Sequence, residues 1–125
     1  MHTRSLVGKI GEERAASFLE GKGYKVILKN YKNSLGEIDI IAQDKDTLCF
    51  IEVKARRSER FGSPKEGVSL FKQHKLSQVA VLFLKENDLL HKKARFDVVS
   101  VLDRPGGRHI ELIRNAFELS RGFIY

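Results

Sequence analysis

The strongest constraint in this sequence is a pair of β-like runs, Glu37 to Gln43 and Leu48 to Ala55, separated only by Asp44-Lys45-Asp46-Thr47. A short polar connector of this composition suits a tight hairpin turn. With the turn centred on Lys45-Asp46, Gln43 faces Leu48, Ile41 faces Phe50, Asp39 faces Glu52 and Glu37 faces Lys54. Alternation across the strands then gathers Ile38, Ile40, Ala42, Cys49, Ile51 and Val53 on one wholly apolar face. The other face mixes Ile41 and Phe50 with the charges. Apolar residues on both faces imply strands near the middle of a sheet, with the charges in a partly buried hollow.

The rest of the chain supplies layers for such a sheet. Ser5 to Lys22 reads as a helix because Val7, Gly11, Ala15, Phe18 and Leu19 share one stripe, with Gly21 and Gly23 as stop signals. A strand is expected from Tyr24 to Lys29, followed by a loop from Asn30 to Ser34. Arg56 to Gly67 has the glycines, proline and alternating charge of a mobile loop. A second helix is expected from Val68 to Lys85 on the spacing of Leu76, Val79, Ala80 and Phe83. Two further strands, Arg95 to Leu102 and His109 to Ile113, flank a turn through Pro105-Gly106. The order α-β-β-β-α-β-β predicts an α/β (α+β) domain, a single mixed β-sheet flanked by helices. At 125 residues the chain is most simply one domain.

Charge narrows the partner. There are 23 Lys and Arg residues against 16 Asp and Glu, a net charge of +7, so a polyanion is expected and nucleic acid is the commonest. No segment is long and apolar enough to span a bilayer, no basic amphipathic helix stands out, and the N-terminus lacks a secretory stretch. Hence no membrane partner is expected. The single cysteine, Cys49, lies in an apolar run and fits a core thiol in a reducing, cytoplasmic setting.

The acids on the hairpin call for compensation. At about 5 Å and an effective dielectric near 20, Asp39 and Glu52 would repel by roughly 3 kcal/mol, whereas an exposed Glu37–Lys54 pair returns only about 0 to 1 kcal/mol. An ordinary solvated charge cluster therefore accounts poorly for them. A divalent cation accounts better: magnesium takes hard oxygen ligands, needs one or two protein carboxylates and completes its shell with water and phosphate. Lys54 can then orient or help deprotonate a metal-bound water.

These residues carry a resemblance. Asp39 followed by Glu52-Val53-Lys54 resembles the acid, acid-x-lysine signature of the restriction-endonuclease-like PD-(D/E)xK nucleases. More closely, Gly11-Glu12, Gly36-Glu37-Ile38-Asp39, Phe50-Ile51-Glu52-Val53-Lys54 and Arg95-Phe96-Asp97-Val98-Val99 resemble the YraN-like family of small bacterial proteins. Ile38 replaces the proline of the general signature, a departure that the narrower family shares. The resemblance implies a restriction-endonuclease-like fold related to Holliday-junction resolvases and a nuclease using Mg2+ or Mn2+. Resolvase relatives act as dimers, so it also allows a homodimer.

Two elements complete the expected site. Positions three, four and seven after Glu12 are Ala15, Ala16 and Leu19, so Glu12 borders the buried stripe, while Glu13 faces outward. The resemblance implies that a glutamate on this helix reaches the metal, which selects Glu12; favouring the helix dipole is the structural alternative. The catalytic set is then Glu12, Asp39, Glu52 and Lys54, with the three acids as metal ligands. The densest basic stretch starts beside it, and Arg56, Arg57, Arg60, Lys65 and Lys72 are candidate nucleic-acid contacts. Lys72 and Gln73 resemble positions where the wider nuclease group places a helper. Phe61 and Tyr31 are the only aromatics in expected loops, so base stacking is not indicated. Arg95 and Asp97 read as supports. The function expected is hydrolysis of phosphodiesters in nucleic acid, DNA foremost; the alternatives are an inactive module that binds nucleic acid or recruits a partner, and a calcium-stabilised structural protein.

Overall fold

The computed structural model describes residues 6–56 and 68–118. Its elements are α1 (Leu6–Gly21), β1 (Lys25–Asn33), β2 (Gly36–Asp44), β3 (Thr47–Arg56), α2 (Leu70–Glu86), β4 (Lys93–Arg104) and β5 (Gly107–Phe117). The five strands form one sheet in the order β1-β2-β3-β4-β5. Only β3 and β4 run parallel, and α2 supplies the crossover between them. β3 is thus the central strand, as apolar residues on both of its faces require.

Each face is covered by one helix. Ala15, Ala16 and Leu19 of α1 pack with Ile40, Ala42, Cys49, Ile51, Val99 and Val101. On the other face Leu76, Val79, Ala80, Phe83 and Leu84 of α2 pack with Ile41, Leu48, Phe50, Phe96 and Val98. Gly11 lets α1 lie close to the central strand: a Cβ there would sit 3.0 Å from the Cβ of Ala55. Cys49 is a free thiol with no exposed surface. Among the described residues no helix is long and apolar enough to cross a membrane.

Several boundaries differ from expectation by one to four residues; β5 runs to Phe117 rather than Ile113, and two others bear on the site. β1 continues to Asn33, so Tyr31 is a strand residue rather than a loop aromatic; its ring meets Phe83 edge-on at 5.0 Å. Polar Asn and Lys residues mask that strand because β1 is an edge with mostly exposed positions. α2 begins at Leu70, where the Ser69 side chain accepts from the Lys72 N–H at 3.1 Å and caps the first turn.

A polar network ties the two outer hairpins together on the α1 face. Arg95 Nη2 donates to Asp44 Oδ2 at 2.8 Å and to the Tyr24 hydroxyl at 2.9 Å, while Arg95 Nε donates to Asp97 Oδ1 at 3.0 Å. Tyr24 donates to Asp97 Oδ2 at 2.9 Å, and the Asn115 N–H to Asp97 Oδ1 at 2.8 Å. Arg95 and Asp97 are supports, as their placement between apolar strand residues suggests.

Candidate active site

The β2–β3 ladder runs from Asp44↔Thr47 to Ile40↔Ile51 and stops there. The expected rungs Asp39–Glu52 and Glu37–Lys54 do not form. Instead the Val53 N–H donates to Asp39 Oδ2 at 2.8 Å, so a carboxylate takes a donor that a backbone carbonyl would otherwise satisfy. The chain also turns over at Asp39. Ile38, expected beside Ile40 and Ala42, packs on the α2 side while they pack on the α1 side. On the neighbouring strand the pairing passes from Lys29↔Ile40 to Tyr31↔Ile38, and Asn30 between them is left-handed at φ 54°. Irregularities of this kind re-aim a side chain at the end of a ladder.

Asp39 and Glu52 nevertheless act on each other. Asp39 is 9% exposed and Glu52 7%. Burial pushes the Glu52 carboxyl above the usual range, the negative charge of Asp39 pushes it further, and Lys72 and Lys54 pull it back. Lys72, from the first turn of α2, holds its Nζ 3.1 Å from Glu52 Oε1. Lys54 is half-buried two residues beyond Glu52 and lies in register with Ser100 of β4, a buried hydroxyl that strand alternation alone did not single out.

The other expected residues are placed as follows. Glu12 is buried on α1 and Glu13 exposed, as helical spacing predicts. Glu12 follows the glycine that touches Ala55, on the α1 side of the sheet, whereas Lys72 meets Glu52 from α2. Among the described residues no three His, Cys, Asp or Glu side chains gather into a group that could hold a metal ion. Glu37 has an ion pair with Lys32 across β1 at 3.6 Å. Gln73 turns back to donate to the Val68 carbonyl at 3.0 Å, leaving Lys72 as the residue of that pair that reaches Glu52. Arg56 ends β3 with its side chain outside the described residues, where Arg57, Arg60, Lys65 and Phe61 also lie. A hollow of about 680 Å3 between α1 and β5, lined by Ile10, Glu13, Arg14, Ser17, Phe18 and Ile110, includes none of these residues.

A mixed five-stranded sheet with one helix on each face and buried acids on adjacent inner strands is the restriction-endonuclease-like α/β arrangement. Within that class the chain belongs to a small bacterial family distantly related to the PD-(D/E)xK nuclease fold: the profile described as "Uncharacterised protein family UPF0102" matches residues 11–101. A UPF0102 protein of Syntrophus aciditrophicus is 48% identical over 115 residues, which cover 92% of this chain and 91% of the relative. One from Desulfosudis oleivorans is 46% identical over 118 residues, covering 94% of each. One from Dictyoglomus turgidum is 43% identical over 113 residues, covering 89% of this chain and 96% of the relative.

Proposed function

We propose that the protein is a magnesium- or manganese-dependent nuclease that binds nucleic acid, DNA foremost, and hydrolyses its phosphodiester bonds. The observation that carries this reading is the buried Asp39–Glu52 pair with a lysine ammonium 3.1 Å from one of its oxygens. Burial and the neighbouring Asp39 charge raise the proton affinity of Glu52, which a cation standing against it offsets. Their oxygens are hard donors of the kind magnesium and manganese take, and two protein carboxylates suffice when water and phosphate complete the shell.

Asp39 and Glu52 would hold the ion, with Glu12 contributing to its shell through water. When bound, the ion supplies a water of lowered pKa and neutralises charge on the phosphate. Lys54 positions the attacking water and keeps a positive charge beside the scissile group. Arg56, Arg57, Arg60, Lys65 and Lys72 supply phosphate contacts. The lack of a three-donor group among the described residues favours a second reading, an inactive nucleic-acid-binding or partner-recruiting module on the same face.

The test is cleavage of linear, single-stranded and four-way-junction DNA with magnesium or manganese. Asp39→Asn keeps an oxygen that can accept from Val53 but loses the charge, and Lys54→Ala removes the ammonium. Each is expected to reduce cleavage by at least about 10²-fold while leaving the fold and most DNA affinity intact. Equal cleavage by wild type and both variants refutes the assignment; binding without cleavage by the wild type favours the inactive module.

A further inference from the structure

Phe71 is out of place for a helix that builds a core. α2 buries Leu76, Val79, Ala80, Phe83 and Leu84, yet its first turn leaves Leu70 77% and Phe71 73% exposed. Phe71 forgoes most of the stabilisation that burying a ring supplies. Its surroundings are cationic. Lys75, four residues on, holds its ammonium 5.9 Å from the ring centroid. Lys72, the next residue along the helix, reaches Glu52 with its ammonium. No Asp or Glu occurs anywhere from Gly67 to Lys85. A hydrophobic partner would meet two apolar residues among Lys72, His74 and Lys75, all exposed; a flat ligand on an anionic backbone matches both the ring and the charges.

We propose that Phe71 is a stacking platform for an unpaired nucleobase, with Lys72 and Lys75 receiving the flanking phosphates, so that the site selects DNA with single-stranded or splayed bases over intact duplex. Every base offers a π-face, so the platform is tolerant of sequence. In a duplex that face is already stacked and must be withdrawn before the ring can use it. This deepens the nucleic-acid reading above and rests on it.

The chain contains no tryptophan, so Phe71→Trp installs a single indole reporter at the proposed platform. The probes are a short single-stranded oligothymidylate and a blunt duplex of equal length, both carrying a fluorophore for anisotropy, in EDTA so that nothing is cut. Circular dichroism checks the fold of each variant. Wild type is expected to bind the single strand more tightly, and Phe71→Ala to weaken that binding by about tenfold or more with duplex affinity unchanged. The indole of Phe71→Trp is expected to be quenched by the single strand and not by the duplex. Unaltered single-strand affinity in Phe71→Ala, or an unquenched indole on a bound strand, overturns the platform while leaving nucleic-acid binding in place. Failure of the wild type to bind either probe removes the nucleic-acid reading and the platform together. Self-association of the wild type that Phe71→Ala abolishes, with no quenching, assigns the patch to a second copy of the chain and overturns the proposal.

Discussion

Asp97 has no exposed surface, yet its two oxygens accept from Tyr24, Arg95 and the Asn115 amide, so its charge is matched where it lies. Tyr24 bears the consequence. Burial first, and the charge of Asp97 next, push its hydroxyl from the usual 10 up to about 12. Between those values the unfolded chain loses the proton and the native chain keeps it, so stability falls as pH rises through that window and is unaffected by this group below it. Urea melts across the window, with phenolate absorbance followed in parallel, should show this loss, and Tyr24→Phe should flatten it. An identical slope in the variant would show that other groups are responsible. Glu52 contrasts with Asp97. Its burial is accompanied by a like charge, Asp39, and its nearest cation, Lys72, comes from a side chain that is 45% exposed. Helical spacing was enough to separate buried Glu12 from exposed Glu13. The off-stripe position of Phe71, five residues before Leu76 and outside the Leu76–Val79–Phe83 spacing, was equally available as a signal of exposure.

All seven elements are readable from hydrophobic period and turn chemistry, because each alternates or repeats over enough residues to define a face. Failures sit where a side chain competes with the backbone. A continuous hairpin follows from the pattern Glu37 to Ala55, but Asp39 captures the Val53 amide and ends the ladder, and Ile38 changes sides. Nothing in one-dimensional alternation marks that competition, since Asp39 alternates as any strand residue would. The seating of α1 is a second matter between elements. Gly11 weakens its helix by about 1 kcal/mol relative to alanine, yet it admits Ala55. Gly11→Val should overpack this contact and destabilise the protein by about 1–3 kcal/mol, measured by urea unfolding. A variant as stable as the wild type would mean that α1 can shift outward at no cost.

Across the molecule, two polar sites have separate tasks. The Tyr24–Arg95–Asp97–Asp44 network joins residues as far apart as Tyr24 and Asp97 in the chain and secures the sheet. Removing its cation strands a fully buried carboxylate, so Arg95→Ala should cost about 3–5 kcal/mol of stability. Cleavage per folded molecule should be unchanged, because Asp39, Glu52 and Lys54 keep their positions; loss of activity in a fully folded variant would make Arg95 part of the site. The net charge of +7 belongs to the chain as a whole, and the cations near Glu52 come from β3 and α2.

What could be read along the chain was whatever repeats locally: the two helical stripes, the alternating strands, the turn residues, and the acid, acid-x-lysine spacing with its basic surroundings. These follow from periods of 3.6 and 2 residues and need no partner to be defined. Three-dimensional packing settled the rest: which face Ile38 joins, where the β2–β3 ladder ends, that Lys72 rather than Gln73 meets Glu52, and that Phe71 stays in water. Each of these is a competition between groups distant in sequence for one donor, one charge or one volume, and such competitions are decided only when the elements are pressed together.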